Sequence, residues 1–448
     1  MKAFHAYDIR GEFGVDITPE VAYKVAYFVP ELLQTGKVLV GRDMRESSPV
    51  LHEAVLRGLQ DAGADVYDLG LSTTPLVYYA TAKHGFKASI QITASHNPRK
   101  DNGLKISREN ALPVGLDAGL GIIEKWIEAD RPMPVSACRG SVLQFDIHKE
   151  YVDFLKGFKE NISNLKFAMD CSNGMASIFV HEIFGGQPIY MYDTLDGTFP
   201  HHEANPIIPA NLVDLQDKVR QEKCDIGLMY DGDADRVTFV DENGCFISPD
   251  LIIALLGEYF IKQQGRTGIV LQDIRSSKSL AEYLEPMGAK VEMWKVGRAY
   301  AAPRLRELNG LWGGEVAGHY YFRDFFFSDS GILASILVLD VVARLKREGR
   351  SFSKVMSEIK HYENSGEINF KIERKQEAMD KVKEYFSSEE KPSAFYDFDG
   401  YRVEFPQWWF NIRPSNTEPY LRFLCEATTK ALLDEKVARA SEIIKSFE

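Results

Sequence analysis

Residues 88–98 read Ala-Ser-Ile-Gln-Ile-Thr-Ala-Ser-His-Asn-Pro, an apolar run followed by a short polar turn. Apolar runs of about four to eight residues that end at turn residues are typical of buried strands. Ser95 therefore follows a strand, where a tight turn would display a nucleophilic hydroxyl. His96 is adjacent and Lys105 follows within ten residues. Taken alone, the segment also fits an ordinary turn that ends at Pro98.

Short strands and amphipathic helices alternate on both sides of this segment. The predicted strands cover residues 37–40, 64–69, 88–93, 166–169, 226–230, 268–271 and 291–295. The predicted helices cover residues 49–62, 277–286 and 331–345, with a further helix that begins at Met175. Repeated strand–helix–strand units favour α/β domains whose sheets are largely parallel and covered by helices on both faces.

The C-terminal part of the chain follows a different pattern. Its predicted strands cover residues 367–372, 396–405, 408–412 and 420–427, and its predicted helices cover residues 375–386 and 432–447. Strands this close in sequence indicate an antiparallel sheet in a smaller α+β domain. A chain of 448 residues is too long for one core, since domains usually have about 100–200 residues. We therefore predict four units, residues 1–147, 148–249, 250–364 and 365–448.

Composition and charge argue against several classes of partner. The chain has 53 basic and 65 acidic residues, a formal net charge of −12 and no basic stripe, so neither nucleic acid nor an anionic membrane is expected. The five cysteines show no CxxC pairing, which is typical of reduced thiols in the cytosol. The first residues lack the apolar core of a signal peptide, and the apolar stretch at residues 331–345 is interrupted by Asp340 and Arg344. We therefore expect a cytoplasmic protein.

Three carboxylates follow the predicted strand at residues 226–230. They are Asp231, Asp233 and Asp235, and Arg236 comes next. Carboxylates this close repel one another, so a hard cation such as Mg²⁺ is the natural reason to bring them together. An EF-hand loop would need glycine where Arg236 stands, and helices rather than strands on its flanks. A phosphatase of the haloacid-dehalogenase type, with Asp231 as nucleophile, and a solvated acidic turn stay open as alternatives.

Two further segments carry polar side chains that suit a sugar phosphate. Residues 314–319 place Glu315 and His319 on a loop bracketed by glycine, where a carboxylate can accept hydrogen bonds from neighbouring hydroxyls. Residues 413–419 combine a guanidinium with hydroxyl and amide groups, which is the chemistry of a phosphate clamp. The clamp residues are Arg413, Ser415, Asn416 and Thr417, with Arg422 as a second charge. Taken alone, each segment also fits a turn between strands.

The N-terminal segments are less informative. Arg10, in the segment at residues 7–11, could reach an anionic site. We interpret Arg42, Asp43 and Arg45 as a structural charge network.

Taken together, the segments at residues 7–11, 93–98, 231–236, 314–319 and 413–419 resemble the α-D-phosphohexomutase superfamily. The similarity covers essentially the whole chain, and bacterial phosphomannomutase/phosphoglucomutase is the group most alike. It implies an α/β protein in which three tandem domains with mixed sheets and a smaller C-terminal α+β domain surround a central cleft. It also implies interconversion of hexose 6-phosphate and hexose 1-phosphate, with mannose, glucose or both as the sugar, through a phosphoserine and a hexose 1,6-bisphosphate.

The resemblance assigns the central chemistry to four residues. Ser95 would be the phosphoserine that donates and regains the phosphoryl group. Asp231, Asp233 and Asp235 would hold Mg²⁺ together with an oxygen of Ser95 in its phosphorylated form.

Two larger sets of residues are implied in the same way. Those expected to assist proton transfer and to balance charge at the reacting phosphate are Arg10, His96, Lys105 and Arg236. Those expected to bind the sugar or its second phosphate are Tyr7, Arg275, Arg298, Glu315, His319, Arg413, Ser415, Asn416, Thr417 and Arg422.

Three positions depart from the pattern of these relatives. Ala317 stands where serine is usual, Arg298 where histidine is frequent, and Arg275 in place of a lysine. The departures leave phosphoryl transfer intact and leave the choice among mannose, glucose and glucosamine phosphates open. We expect hexose phosphate as the ligand, hexose 1,6-bisphosphate as activator or intermediate, and a monomer or weak homodimer. A Mg²⁺-dependent sugar-phosphate phosphatase, a phosphoglucosamine mutase and a catalytically silent sugar-phosphate sensor are the alternatives.

Overall fold

The computed structural model describes residues 1–415 and 420–447. Within these residues the strands form four sheets, each built from one continuous stretch of the chain. The first three sheets are mixed and the fourth is antiparallel, so the predicted α/β class with a smaller C-terminal α+β unit is confirmed. The domain boundaries proposed from the sequence stay predictions.

The first sheet has the strand order β1-β5-β4-β2-β3-β7, with β6 paired to β5. Its strands are β1 (Ile9–Glu12), β2 (Lys37–Arg42), β3 (Asp65–Leu71), β4 (Ala88–Ile92), β5 (Asp101–Arg108), β6 (Leu112–Pro113) and β7 (Val142–Gln144). Its helices are α1 (Pro19–Leu32), α2 (Ser48–Asp61), α3 (Thr74–Lys83) and α4 (Leu120–Glu128). Because Gln91 of β4 pairs with Lys105 of β5, the turn after β4 and the Lys105 side chain lie at the same end of this sheet.

The second sheet has the strand order β12-β11-β10-β8-β9. Its strands are β8 (Phe167–Asp170), β9 (Ile189–Met191), β10 (Ile226–Tyr230), β11 (Val237–Asp241) and β12 (Phe246–Ile247). Its helices are α5 (His148–Lys156), α6 (Ser177–Phe184) and α7 (Val213–Glu222). Strand β10 is buried along its whole length, and the three aspartates follow it directly.

The third sheet has the strand order β14-β13-β15-β16-β17. Its strands are β13 (Ile269–Asp273), β14 (Lys290–Trp294), β15 (Trp312–Gly314), β16 (Tyr320–Phe322) and β17 (Ser328–Asp329). Its helices are α8 (Pro249–Gly257), α9 (Lys278–Leu284), α10 (Arg298–Glu307), α11 (Gly331–Arg347) and α12 (Phe352–Ile359). The predicted buried helix at residues 331–345 is confirmed by α11.

The fourth sheet has the strand order β18-β23-β22-β21-β20, with β19 also paired to β23. Its strands are β18 (Glu363–Asn364), β19 (Ile368–Phe370), β20 (Ala394–Tyr396), β21 (Tyr401–Glu404), β22 (Trp408–Pro414) and β23 (Leu421–Ala427). Its helices are α13 (Lys375–Glu389) and α14 (Lys430–Lys445).

Two expectations about these sheets are wrong. The α/β sheets were expected to be largely parallel, but each has antiparallel strands on one side. Most of these pairs are connected by short loops, which allow antiparallel pairing, whereas α1, α2 and α3 lie between β1 and β5. The single strand expected at residues 396–405 is a hairpin of β20 and β21. Gly400 lies in the turn between them with a φ of 69°, a conformation that favours glycine.

The hydrophobic cores divide the chain into a larger body and a smaller one. One core joins the first three units, since it includes Tyr78 of α3, Phe179 of α6 and Leu337 of α11. The C-terminal unit has a core of its own, which includes Phe386 and Phe410. A unit with a separate core can move against its neighbours more easily than one that shares a core.

The start of α11 fixes the aspartate loop. Ser330 caps the helix by accepting a hydrogen bond from the backbone N–H of Leu333, and Gly331 donates its own N–H to the carbonyl of Ala234 at 3.1 Å. A Cβ atom at Gly331 would lie 2.7 Å from the carbonyl oxygen of Arg236. Glycine is therefore required where the helix meets the loop. Across residues 1–415 and 420–447, none of the helices has the length and apolar character needed to cross a membrane.

The contact between the third and fourth units combines polar contacts with a stacked pair of rings, Trp294 and Phe398. Arg402 of β21 is 1% exposed and donates from Nη1 to the carbonyls of Ile274 and Ser276, at 2.8 and 2.7 Å. Its guanidinium lies 3.7 Å from the centre of the Trp409 ring. Glu426 of β23 is buried beside it and accepts a hydrogen bond from Trp409 Nε1 at 2.9 Å.

The buried Glu426 makes stability at this contact depend on pH. Burial, followed by the charge of Asp250, raises the pKa of Glu426 to about 7. The folded protein therefore holds this proton more tightly than the unfolded chain, so the stabilisation is present at low pH and is lost as pH rises through about 7. We expect Glu426→Gln to gain about 3 kcal/mol of unfolding free energy relative to wild type between pH 5 and pH 8. Urea unfolding followed by tryptophan fluorescence measures the difference.

Glu442→Gln is the matched control, because Glu442 lies on the surface of α14 and pairs with Arg439. Its stability relative to wild type should not change between the two pH values. A gain of equal size in both variants would contradict the role given to Glu426.

Candidate active site

Ser95 lies in a tight turn that is closed from solvent. The residue is 0% exposed and has a φ of 52°, in the left-handed region that non-glycine residues enter only when the surroundings hold them there. Its backbone N–H donates to Thr93 Oγ1 at 2.8 Å. Its hydroxyl donates to Asp231 Oδ2 at 2.8 Å, and His96 Nδ1 lies 3.4 Å from the hydroxyl oxygen of Ser95. The turn thus brings two predicted residues to the aspartate loop.

Arg45 holds the backbone of this turn. Its guanidinium donates to the carbonyls of Ser95 at 2.9 Å, Asn97 at 2.7 Å, Pro98 at 2.8 Å and Asp101 at 3.0 Å. The side chain is 0% exposed. The sequence indicated only a structural charge network here, and the network turns out to fix the position of the Ser95 hydroxyl.

The aspartate loop folds back on itself, as its three carboxylates require. Asp231, Asp233 and Asp235 are each 0% exposed, and an oxygen from each lies within 4.8 Å of the others. Ala234 has a φ of 62°, which produces the curl. Burial, followed by the charges of Asp233 and Asp235, raises the pKa of Asp231 well above its ordinary value.

Lys105 balances part of this charge. Its Nζ donates to Asp233 Oδ2 at 2.7 Å and to Asp235 Oδ2 at 2.6 Å. Burial alone would lower the pKa of Lys105, but the charges of the two aspartates outweigh it and raise that pKa. Lys105 is therefore an ammonium ion in the folded protein. Thr74, a residue missed from the sequence, donates its hydroxyl to the same Asp233 oxygen.

The remaining oxygens of the loop suit a metal ion. Asp233 Oδ1 and Asp235 Oδ1 are buried and have no hydrogen-bond partner among the residues that the structure describes, although buried carboxylate oxygens normally have one. A hard divalent cation bound by carboxylates would satisfy both atoms. Asp235, together with His319 and Asp329, forms a second group of possible metal ligands. The orphaned oxygens favour the group made by the three aspartates.

The other predicted residues near Ser95 are two arginines and a histidine, and the surroundings of the histidine keep it neutral. Arg10 Nη1 donates to Asn97 Oδ1 at 3.0 Å. Arg236 Nε lies 3.8 Å from Asp231 and 3.9 Å from Asp235. Desolvation, followed by the charges of Arg236 and Arg10, holds the pKa of His96 well below its ordinary value. His96 is therefore a neutral imidazole.

The glycine-bracketed loop brings His319 to the aspartates. The backbones of His319 and Arg236 form an isolated antiparallel β-bridge. The His319 Nδ1 atom lies 2.6 Å from Asp329 Oδ2 and 3.8 Å from Asp235 Oδ1. Asp329 was not singled out from the sequence, where it is one acidic residue in an aromatic segment. Burial raises its pKa, but the hydrogen bond with His319 and the charge of Arg298 lower that pKa to about 2 overall.

Glu315 is held by two donors of the protein. Its Oε2 accepts from the backbone N–H of Gly297 at 2.8 Å, and its Oε1 accepts from the hydroxyl of Tyr321. The carboxylate is 2% exposed and so has a fixed orientation.

Tyr7 and Arg298 connect the first and third units. Tyr7 donates its hydroxyl to the carbonyl of Val296 at 3.0 Å. Arg298 pairs with Asp329 at 2.8 Å and donates to the carbonyl of Ala111 at 3.0 Å. Both were expected to bind substrate, and that role stays a prediction.

The predicted phosphate clamp lies in the fourth unit. Arg413 of β22 and Arg422 of β23 lie opposite each other in the antiparallel strand pair. Both side chains approach the carboxylate of Glu367. Arg275, from the third unit, lies 3.8 Å from the same carboxylate. Ser415 donates its backbone N–H to the carbonyl of Tyr420 at 2.9 Å. Asn416 and Thr417 lie outside the described residues.

Arg275 connects the clamp to the glycine-bracketed loop. It binds Asp273 through two nitrogens, at 3.1 and 2.7 Å, and Asp273 accepts the backbone N–H of Val316 at 2.9 Å. The structure thus gives two centres, one around Ser95 and one around Arg413, with Asp273 and Arg275 between the loop and the clamp.

The chain matches four domain families in sequence order. Residues 1–132 match phosphoglucomutase/phosphomannomutase alpha/beta/alpha domain I, residues 149–244 match domain II, and residues 248–362 match domain III. Residues 367–443 match the C-terminal domain.

Relatives match over their full length. A phosphomannomutase of Escherichia coli is 36% identical over 459 residues, which covers 99% of this chain and 99% of the relative. A phosphomannomutase of Vibrio cholerae is 34% identical, with 100% of this chain and 99% of the relative covered. The chain belongs to the phosphoglucomutase/phosphomannomutase family.

Solved structures agree with this membership. A phosphoglucomutase/phosphomannomutase family protein from Burkholderia thailandensis has a TM-score of 0.88 to this chain at 28% identity, and the match covers 99% of this chain and 98% of that structure. This phosphohexomutase is an isomerase of hexose phosphates, and the phosphatase and silent-sensor alternatives are set aside.

We expect Arg45→Lys to damage the phosphohexomutase in both stability and turnover. A lysine keeps the charge but cannot donate to four carbonyls in fixed geometry, so unfolding free energy should fall by about 2 kcal/mol. Turnover should fall by at least about tenfold, because the Ser95 turn would lose its anchor. Thermal unfolding and a mutase assay measure the two effects.

Arg42→Lys is the control for this change. Arg42 donates to the carbonyl of Asp43 at 3.3 Å and lies three residues earlier in the chain. Its replacement should leave both quantities near wild type. Unchanged turnover in Arg45→Lys would show that the turn does not need its anchor.

Proposed function

We propose that this phosphohexomutase transfers phosphate through Ser95, with glucose phosphate, mannose phosphate or both as substrates. The observation that supports Ser95 most is the 2.8 Å contact of its hydroxyl with Asp231 in a fully buried turn. Mannose is included because relatives at 34–36% identity are named phosphomannomutases. Because Ala317 and Arg298 depart from the family pattern, the preference between the sugars and a role for glucosamine phosphate are to be determined by experiment.

The proposed reaction has two balanced half-reactions. In the first, the C1 hydroxyl of a hexose 6-phosphate attacks the phosphorus of phosphorylated Ser95. A new O–P bond forms, the Ser95 O–P bond breaks, and the products are hexose 1,6-bisphosphate and the free serine. In the second, the Ser95 hydroxyl attacks the C6 phosphate of the bisphosphate. Hexose 1-phosphate leaves and phosphoserine is restored.

Two histidines would hold the moving protons. His96 is neutral beside the free serine and lies 3.4 Å from Ser95 Oγ, so it would take the proton when the serine attacks and return it when the Ser95 oxygen next leaves phosphorus. His319 contacts Asp329 through Nδ1, so its Nε2 would take the proton of the attacking sugar hydroxyl and give it to the sugar oxygen that leaves in the second half-reaction. Lys105, held as an ammonium ion, offsets charge on the transferred group.

Asp231, Asp233 and Asp235 are the residues that would hold Mg²⁺. Their fit rests on the two orphaned oxygens and on a donor set made only of carboxylates. When bound, the ion would act as a Lewis acid that withdraws charge from the phosphoryl group.

The clamp would hold the phosphate that does not react. Arg413 is 3% exposed, and its Nε has no hydrogen-bond partner in the described part of the chain, as expected of a group that awaits an anion. The bisphosphate must turn end for end between the half-reactions. We infer that the C-terminal unit, which has its own core, moves to close on the sugar phosphate and to release it.

We also propose a cytoplasmic setting and a monomer or weak homodimer. All five cysteines are free of disulfides, which supports a reducing compartment.

Ser95→Ala should lower turnover at least about a thousandfold while the protein stays folded. Intact-mass analysis of the resting wild type should find one phosphoryl group that Ser95→Ala lacks. The assays use the 1-phosphates of glucose, mannose and glucosamine in parallel, which also identifies the preferred sugar.

Ser89→Ala is the matched control, because Ser89 is a buried hydroxyl of the preceding strand and accepts a hydrogen bond from Thr81. Its turnover should stay within about threefold of wild type. Normal turnover in Ser95→Ala would place the nucleophile elsewhere, and steady release of inorganic phosphate would favour Asp231 as the nucleophile of a hydrolase.

Mg²⁺ should raise the unfolding temperature of the wild type. A cation that binds the folded state at a hundred times its Kd stabilises it by about 2.7 kcal/mol, and relief of the repulsion among the aspartates is the physical source. Asp233→Asn should lose the Mg²⁺ response. Asp241→Asn, which alters a buried carboxylate at the far end of β11, should keep it. Equal responses of the two variants to Mg²⁺ would show that the ion does not bind at the aspartate loop.

A further inference from the structure

Glu367 stands where the chain enters the C-terminal unit. It follows Gly366, which has a φ of 67°, and it precedes β19. Its Oε1 accepts a hydrogen bond from Arg422 Nη1 at 2.7 Å. Its Oε2 lies 3.7 Å from Arg413 Nη2 and 3.8 Å from Arg275 Nη1. Guanidinium groups from two structural units therefore converge on one carboxylate.

The Glu367 carboxylate contacts the three guanidinium groups at unequal distances. Only the contact with Arg422 has hydrogen-bond length, whereas the contacts with Arg413 and Arg275 are longer than a hydrogen bond. Arg413 is nearly enclosed, and its Nε has no hydrogen-bond partner among residues 1–415 and 420–447. Burial, followed by the charge of Arg275, lowers the pKa of Arg413, although the charges of Asp399 and Glu367 oppose this shift. The two carboxylates together therefore leave the positive charge of Arg413 under-compensated. A phosphate group, with more oxygens and more charge, would suit these guanidinium groups better.

We propose that Glu367 is an internal anion that occupies the clamp in the absence of substrate and competes with the substrate phosphate for its guanidinium groups. This inference rests on the proposed function, in which Arg413 and its neighbours bind the phosphate that does not react. Glu367 acts through those arginines and is a positioning residue.

The charge of Glu367 has two effects on the clamp. Without phosphate, guanidinium groups this close repel one another, and Glu367 offsets part of the repulsion between Arg413 and Arg275, which Asp273 holds through two hydrogen bonds. With phosphate bound, the same carboxylate lies close to the anion and weakens its binding. The second effect is useful to a reaction in which the bisphosphate must leave the clamp and return with its other end.

The test is Glu367→Gln in the full chain, which keeps the shape and removes the charge. Calorimetric titration with inorganic phosphate should give a Kd about fivefold lower than that of the wild type, as expected for loss of one partly exposed charge. The mutase assay should show a lower KM together with a lower kcat, because release becomes slower. A merely structural role would raise the KM or leave both constants unchanged. A phosphate Kd equal to or higher than that of the wild type would overturn the proposal.

Two variants separate this proposal from the function on which it rests. Glu363→Gln removes an exposed carboxylate that pairs with Lys360 at 3.2 Å, four residues earlier, and should leave the phosphate Kd unchanged. Arg413→Gln should weaken phosphate binding and raise the KM. No effect in Arg413→Gln would refute the clamp itself. Weakened binding in Arg413→Gln without tightening in Glu367→Gln would refute only the role of Glu367.

Glu367→Asp provides a second measurement of the same effect. The shorter side chain keeps the charge but withdraws it from the guanidinium groups, so the phosphate Kd should fall by less than in Glu367→Gln. A rise in the Kd of this variant would also contradict competition.

Discussion

The burial of three carboxylates in one loop is the constraint on which the rest of the structure depends. Asp231, Asp233 and Asp235 are closed from solvent and repel one another, so the loop is stable only where positive charge and hydrogen-bond donors meet it. Lys105 and Thr74 come from the first unit. The loop therefore cannot take its final shape until the units have docked, and one hydrophobic core runs through that contact.

The rigid and the movable parts of the molecule have different physical origins. The serine turn is held in an unfavourable backbone conformation by a buried guanidinium that satisfies four carbonyls. The C-terminal unit is attached to the rest through polar contacts, such as those of Arg402, and through a ring contact between Trp294 and Phe398 at 5.8 Å. A shared apolar core resists displacement, whereas a few hydrogen bonds at a boundary can be exchanged at small cost. In the proposed function, the chemistry would therefore have a fixed centre at Ser95, and the phosphate-binding residues would lie on the unit that moves.

Sequence patterns predicted most of the strands and the positions of the site segments, because short-range hydrophobic periodicity and polar turns mark both. They did not predict the antiparallel edges of the sheets, since pairing direction depends on how the chain returns rather than on local pattern. Arg45, Thr74 and Asp329 were missed as supports of the site for a similar reason. Each acts on residues far away in the chain, and nothing in its own neighbourhood distinguishes it from an ordinary polar residue.

In the proposed function, sugar recognition by Glu315 would be constrained by hydrogen bonds that the protein has already formed. An ionised carboxylate offers about four acceptor positions, and Glu315 gives one to Gly297 and one to Tyr321. About two positions remain, which matches a pair of neighbouring hydroxyls. The loop around Ala317 is fixed through the backbone N–H of Val316 and not through a hydroxyl at position 317. The absence of a serine there therefore removes one possible contact with the sugar but leaves intact the support that orients Glu315.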